Sequence, residues 1–79
     1  MLVDDHAVLR DGLKNIVGME SDIEVVGEAV NGGEAIEKAA DFMPDVILMD
    51  INIPERNGIE VTGLIKGLYP SIKIVILTM

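Results

Sequence analysis

The sequence contains no cysteine and no tryptophan, and it has only one phenylalanine and one tyrosine among 79 residues. Without cysteine, the chain can form no disulfide, no thiol nucleophile and no cysteine-ligated zinc site. So few aromatic side chains also disfavour a flavin site, because little is left to stack on the ring. Basic residues are scarce as well, since six Lys and Arg stand against 14 Asp and Glu for a formal net charge of −8. Because this charge repels a phosphate backbone, direct nucleic-acid binding by this chain is disfavoured.

Long apolar runs are absent too. No run approaches the ~20 residues of a membrane span, and Asp4 and Asp5 interrupt the segment in which a signal peptide would need apolar residues. Apolar residues nevertheless make up 49% of the chain, which allows one small hydrophobic core. The composition therefore predicts a single acidic, cytoplasmic domain without a membrane segment.

Strand-like and helix-like segments alternate along the chain. Continuous apolar or β-branched runs indicate strands, and apolar residues at helical spacing between Pro and Gly breakers indicate helices. The predicted elements are a strand at 1–3, a helix at about 6–19, a strand at 23–29, a helix after the turn at 31–32, a strand at 46–49, a helix at about 58–68 and a strand at 72–77. This β-α-β-α-β-α-β order predicts an α/β fold with a parallel sheet and right-handed crossovers.

Several side chains receive specific roles in this prediction. Asp5 is expected to cap the first helix, and Pro44 and Pro70 are expected to end the second and third. The side chains expected to face a core are Leu9, Leu13, Ile16 and Val17 in the first helix, Ala35, Ile36, Ala39, Ala40 and Met43 in the second, and Val61, Leu64, Ile65 and Leu68 in the third.

Acids follow two of the predicted strands directly. Asp4 and Asp5 come after the first strand, Asp50 comes after the third, and Thr78 follows the fourth. Ligands of open parallel sheets bind outside the carboxyl ends of the strands, so neighbouring first and third strands would bring the three carboxylates together. Two charges ~4 Å apart repel by about 4 kcal/mol at an effective dielectric of 20. A shared proton or a bound cation must compensate, and oxygen ligands favour Mg²⁺.

A magnesium site at this edge suits phosphoryl transfer. Asp50 is the candidate nucleophile, forming an aspartyl phosphate, and the hydroxyl of Thr78 could donate to a phosphoryl oxygen. The loop after Asp50 contains Pro54, which fixes a dihedral, and Gly58, which is expected to permit a sharp entry into the third helix.

Three stretches carry a family resemblance: "LVDDHAVLRDGL", "PDVILMDINIPERNGIE" and "IVILT". They resemble the receiver domain of two-component response regulators, in the LuxR/NarL/FixJ-type branch that carries a DNA-binding domain. The resemblance covers essentially the whole chain. It implies a flavodoxin-like (CheY-like) doubly wound sheet with strand order 2-1-3-4.

The resemblance also implies roles for individual residues. Asp50 would accept a phosphoryl group from a histidine kinase, and Asp4 and Asp5 would hold Mg²⁺. The backbone carbonyl of Asn52 would reach the metal, and Thr78 would be the switch hydroxyl. Such a chain is a self-phosphorylating acceptor rather than a turnover enzyme, and transcription regulation would belong to the parent protein.

Part of the family pattern has no counterpart here. The fourth helix, the fifth strand, the fifth helix and the lysine that normally pairs with the phosphoryl group are not matched, so residues 1–79 are expected to be the N-terminal part of a receiver without a DNA-binding domain. Ile16, Val17 and an edge at 72–77 are then expected to be exposed. Because long apolar edges invite pairing, the chain is expected to be a homo-oligomer, domain-swapped or unstable. A monomeric sedimentation profile with a cooperative melt would contradict this.

Two other functions compete with the receiver interpretation. A phosphatase of the haloacid dehalogenase type also uses an aspartyl nucleophile beside Mg²⁺, but it needs a second acid where this chain has Asn52. A structural or dimerisation module that cannot be phosphorylated stays open. His6 could be a metal ligand, although a lone histidine in a first helical turn is more often solvated.

Overall fold

The protein is described by a computed structural model that covers residues 1–53 and 57–77. In chain order the elements are β1 (Leu2–Val3), α1 (Ala7–Gly18), β2 (Glu28–Ala29), α2 (Gly32–Phe42), β3 (Val46–Asp50), α3 (Gly58–Leu68) and β4 (Lys73–Leu77). All strand pairs are parallel and the order is β2-β1-β3-β4. The predicted fold class, element order and strand order are confirmed.

The hydrophobic core lies between one face of the sheet and the helices α2 and α3. Its fully buried side chains include Ala35 and Ala39 from α2, Val61 and Ile65 from α3, and Ile47 from β3. Within each helix the two residues are four positions apart, as the sequence predicted for a buried helical face. The core positions β3 rigidly and therefore fixes the acid at its end.

The opposite face of the sheet is less covered. No residue of α1 is buried, and Ile16 is 65% exposed, as predicted. Val17 lines a cavity of about 550 Å³ together with Leu2 and Leu48. Val75 of β4 is 48% exposed. The predicted self-association stays a prediction, but this open apolar face is the surface on which it depends.

Three details of the helices differ from the sequence prediction. Leu64 and Leu68 are 40% and 61% exposed rather than part of the core, because α3 buries only the stripe through Val61 and Ile65. Met43 is not a core residue of α2 but its left-handed C-cap, with φ 43°, directly before the predicted stop at Pro44. Ala40 is also exposed.

The strand predicted at 23–29 is reduced to Glu28–Ala29. Leu2 pairs with Glu28 and Val3 with Ala29 in parallel register, and the Leu2 N–H also donates to the Gly27 carbonyl at 3.1 Å. The prediction of a seven-residue strand was therefore wrong in length although right in position.

Candidate functional site

The parallel register of β1 and β3 brings the acids together. Leu2 pairs with Leu48 and Val3 with Met49, so Asp4 and Asp50 follow at the same edge of the sheet. Ligand atoms of Asp4, Asp5, His6 and Asp50 all lie within 4.8 Å of one another. The predicted cluster of three carboxylates is present, and His6 joins it.

Asp4 is the most deeply buried of these acids, with 2% of its surface exposed. Its Oδ1 accepts a hydrogen bond from the His6 backbone N–H at 2.8 Å. The same oxygen lies 3.1 Å from the ring nitrogen His6 Nδ1. Its Oδ2 is buried and receives no hydrogen bond from the part of the chain that the structure describes. A buried carboxylate oxygen without a donor is costly unless a cation approaches it.

Asp5 does not cap α1, contrary to the sequence prediction. The N-cap residue is His6, which has extended backbone angles (φ −96°, ψ 106°) and makes no side-chain capping bond. Asp5 therefore stands one residue too early to reach the free N–H groups of the first turn. Its side chain is 33% exposed and its Oδ1 lies 3.0 Å from His6 Nδ1, beside the other acids.

Asp50 ends β3 and is 7% exposed. Its Oδ1 accepts a hydrogen bond from the Asn52 N–H at 3.0 Å, which fixes the carboxylate relative to the loop that follows. Asn52 itself is exposed. Thr78 and Pro54 lie outside the described residues. The last described residue of β4, Leu77, pairs with Asp50.

Gly58 has a different role from the one predicted. No glycine among the described residues has a positive φ, so its conformational freedom is not what the loop uses. A Cβ at Gly58 would lie 2.5 Å from the Asp50 carbonyl oxygen and 2.8 Å from Ile51 Cα. Its N–H donates to the Ile51 carbonyl at 2.8 Å. Gly58 is required because α3 begins directly against the backbone of Asp50.

The imidazole of His6 lies against two of the acids. The pKa of His6 is raised above its ordinary value of 6.5, first by the hydrogen bond to Asp4 and then by the charge of Asp5. The side chain is 68% exposed, so it is solvated as predicted, yet Nδ1 faces both acids. One feature of the sequence could have revealed this contact: His6 directly follows Asp4 and Asp5, just before the first helix.

The donor set fits Mg²⁺. Three carboxylates at one edge supply the hard oxygen ligands that magnesium takes, and the partial exposure of Asp5 leaves room for water and phosphate oxygens. No cysteine is available, and one histidine alone does not suit the softer metals.

Comparison with known proteins gives the same family as the motifs. The family model of the response regulator receiver domain matches residues 1–79. The chain belongs to the response regulator receiver family. It is 42% identical over 79 residues to the transcriptional regulatory protein DegU of Brevibacillus brevis, covering 100% of this chain and 34% of that protein. It is 46% identical over 78 residues to the response regulator protein VraR of Staphylococcus aureus, covering 99% of this chain and 37% of that protein.

Solved structures superpose closely on this receiver. A LuxR-family two-component response regulator from Aurantimonas sp. superposes with a TM-score of 0.95 at 37% identity, covering 100% of this chain and 56% of that one. The response regulator domain of Thermotoga maritima CheB gives 0.91 at 43% identity, with 98% and 57% covered. The receiver spans about a third of the length of the curated relatives named above.

Within residues 1–53 and 57–77, no helix is long and apolar enough to cross a membrane.

Proposed function

We propose that this receiver accepts a phosphoryl group on Asp50 from a histidine kinase, in a reaction that needs Mg²⁺ held by Asp4, Asp5 and Asp50. The observation that carries the proposal is the juxtaposition of three carboxylates, one of them with a buried oxygen that lacks a hydrogen-bond donor among the described residues. Such an arrangement is unfavourable for a purely structural role and favourable for a divalent cation.

The chemistry follows from the position of Asp50. A carboxylate oxygen attacks phosphorus, and the new P–O bond forms as the P–N bond to the kinase's phosphohistidine breaks. The electron pair of that bond stays with the imidazole nitrogen, which is reprotonated. A bound Mg²⁺ would supply positive charge against the phosphoryl oxygens and the crowded acids.

The chain's own residues prepare this step. The Asn52 N–H orients Asp50 Oδ1, and the His6 N–H orients Asp4 Oδ1, so neither acid needs to reorganise when the donor arrives. The backbone carbonyl of Asn52 as a further metal ligand, and Thr78 as the switch hydroxyl, complete the proposed site.

The output of the switch belongs to the longer protein. DegU is named a transcriptional regulatory protein and the Aurantimonas relative is of the LuxR family. We therefore place this receiver in a cytoplasmic two-component pathway in which phosphorylation shifts a two-state equilibrium and controls transcription.

The test is phosphorylation by a small donor. The chain is incubated with acetyl phosphate in Mg²⁺ or in EDTA, and its intact mass is recorded. Uptake of one phosphoryl group in Mg²⁺ and none in EDTA is expected, because the P–O bond to acetate breaks only once the acids are neutralised. A folded chain that takes up nothing under either condition would instead support the structural module.

A further inference from the structure

One basic side chain outside the acidic cluster reaches the backbone of the site. Arg10, in the first turn of α1, donates from Nη1 to the Asp4 carbonyl oxygen at 2.8 Å, and its side chain is only 16% exposed. We propose that Arg10 is a positioning residue for the magnesium site: by holding the Asp4 carbonyl it sets the direction in which the Asp4 and Asp5 carboxylates leave the end of β1. This inference rests on the proposed function.

The backbone of Asp4 is held on both sides. Its N–H donates to the Ala29 carbonyl at 3.0 Å, in continuation of the β1–β2 pairing. Its carbonyl has the Arg10 guanidinium as its partner. The chain leaves the strand at this residue, so Arg10 replaces the contact that a longer ladder would have supplied. The carboxylate that follows is therefore attached to a fixed main chain.

Arg10 is itself anchored away from the site. Its Nε lies 3.3 Å from Oε1 of Glu28, the first residue of β2. Glu28 Oε2 in turn lies 3.1 Å from Lys14 Nζ, one turn further along α1. A guanidinium has separate donors in a rigid fork, so it can contact Glu28 and the Asp4 carbonyl at once. Lys14 contacts the same Glu28 carboxylate through its Nζ.

The two possible effects of Arg10 on magnesium have opposite signs. A positive charge near the site repels Mg²⁺, so if charge alone mattered, removing it would tighten binding. A positioning contact works the other way, because groups that orient metal ligands typically contribute about 10–100-fold to metal affinity. The direction of the change therefore decides between the two.

The experiment compares Arg10→Met, Arg10→Lys and Lys14→Met in the 79-residue chain. The Mg²⁺ dissociation constant is measured by calorimetry, and the amide signals of Asp4 and Asp5 are recorded in EDTA. We expect Arg10→Met to weaken Mg²⁺ binding by about 10-fold and to shift both amides without metal. Arg10→Lys should give an intermediate loss, since one ammonium cannot replace the fork. Lys14→Met, which removes the same charge, should leave affinity unchanged or slightly tighter.

Each outcome has one meaning. Equal or tighter binding by Arg10→Met overturns the positioning role and leaves the magnesium site intact. A lower melting temperature with an unchanged dissociation constant also overturns it, because that is the signature of a merely structural contact. If Arg10→Met does not fold, wild-type affinity in Arg10→Lys overturns it. Failure of the folded wild-type chain to bind Mg²⁺ overturns the proposed function, and this inference with it.

The same contacts predict a pH dependence of stability. The pKa of Glu28 is lowered from its ordinary value of 4.5, first by the hydrogen bond from Lys14 and further by that from Arg10. A lowered pKa in the folded state stabilises the fold above pH 4.5, and this contribution is lost as the pH falls through the folded-state pKa. We expect Glu28→Gln to lower the urea midpoint at neutral pH, because it removes a charge that Lys14 and Arg10 contact, with the difference shrinking below pH 4.5. If the difference between Glu28→Gln and the wild type in urea melts were the same at neutral pH and below pH 4.5, this prediction would be contradicted.

Discussion

Replacing Asp50 with asparagine is expected to abolish phosphoryl uptake completely. The substitution keeps the shape of the side chain and its contact with the Asn52 N–H, but an amide oxygen is not a nucleophile toward phosphorus. Intact mass after incubation with acetyl phosphate and Mg²⁺ gives the result directly.

The same substitution should stabilise the metal-free chain. It removes one of three crowded carboxylates, and relief of about 1 kcal/mol would raise Tm by roughly 4–8 °C. Asp45→Asn is the matched control, since it makes the same chemical change at an exposed position just before the other end of β3. Asp45→Asn should keep phosphoryl uptake. Uptake by Asp50→Asn at the wild-type level would show that the acceptor is another residue.

Replacing Gly58 with alanine is expected to damage both the fold and the site. The new Cβ would lie 2.5 Å from the Asp50 carbonyl oxygen and 3.2 Å from its carbonyl carbon, and backbone atoms cannot move aside as a flexible side chain would. Overpacking of this kind typically costs about 1–3 kcal/mol. Because β3 or α3 must shift, we also expect slower phosphoryl uptake. Urea denaturation and the time course of uptake are the measurements.

Gly63→Ala supplies the control for that prediction. Gly63 lies in the same helix, and a Cβ there would meet no atom within 4 Å. Alanine in an exposed helix interior is favoured over glycine by roughly 0.5–1 kcal/mol, so this variant should be more stable than the wild type and should be phosphorylated normally. Gly58→Ala and Gly63→Ala chains of equal stability would contradict the close approach of α3 to Asp50.

The order of helices and strands was predictable because each of them leaves its own periodic pattern, whereas the strand order 2-1-3-4 was implied by the family resemblance. The apolar run before Asp50 and the breakers at Pro44 and Pro70 placed β3 and the ends of α2 and α3 correctly. The length of β2 was not predictable from its own residues. The length of a strand depends on the ladder that its neighbour forms with it, and here β1 pairs with Glu28 and Ala29.

The acidic cluster was predictable on the condition that the first and third strands are neighbours, since parallel neighbours end at one edge of the sheet. The residues that hold the acids in place were not. Arg10 and Glu28 are 18 positions apart, and nothing in local spacing indicates that the two meet beside Asp4. The capping role predicted for Asp5 failed because helix start signals locate a boundary only to within a residue or two.

The central claim is that Asp4, Asp5 and Asp50 form one magnesium site, and a proton–nitrogen correlation spectrum recorded during a Mg²⁺ titration tests it most directly. The account predicts dispersed signals with saturable shifts at the amides of Asp4, Asp5, Asp50 and Asn52, and little change at Asp45 or Gly63. A dispersed spectrum that does not respond to Mg²⁺ would contradict the account, because the fold would then be present without the metal site.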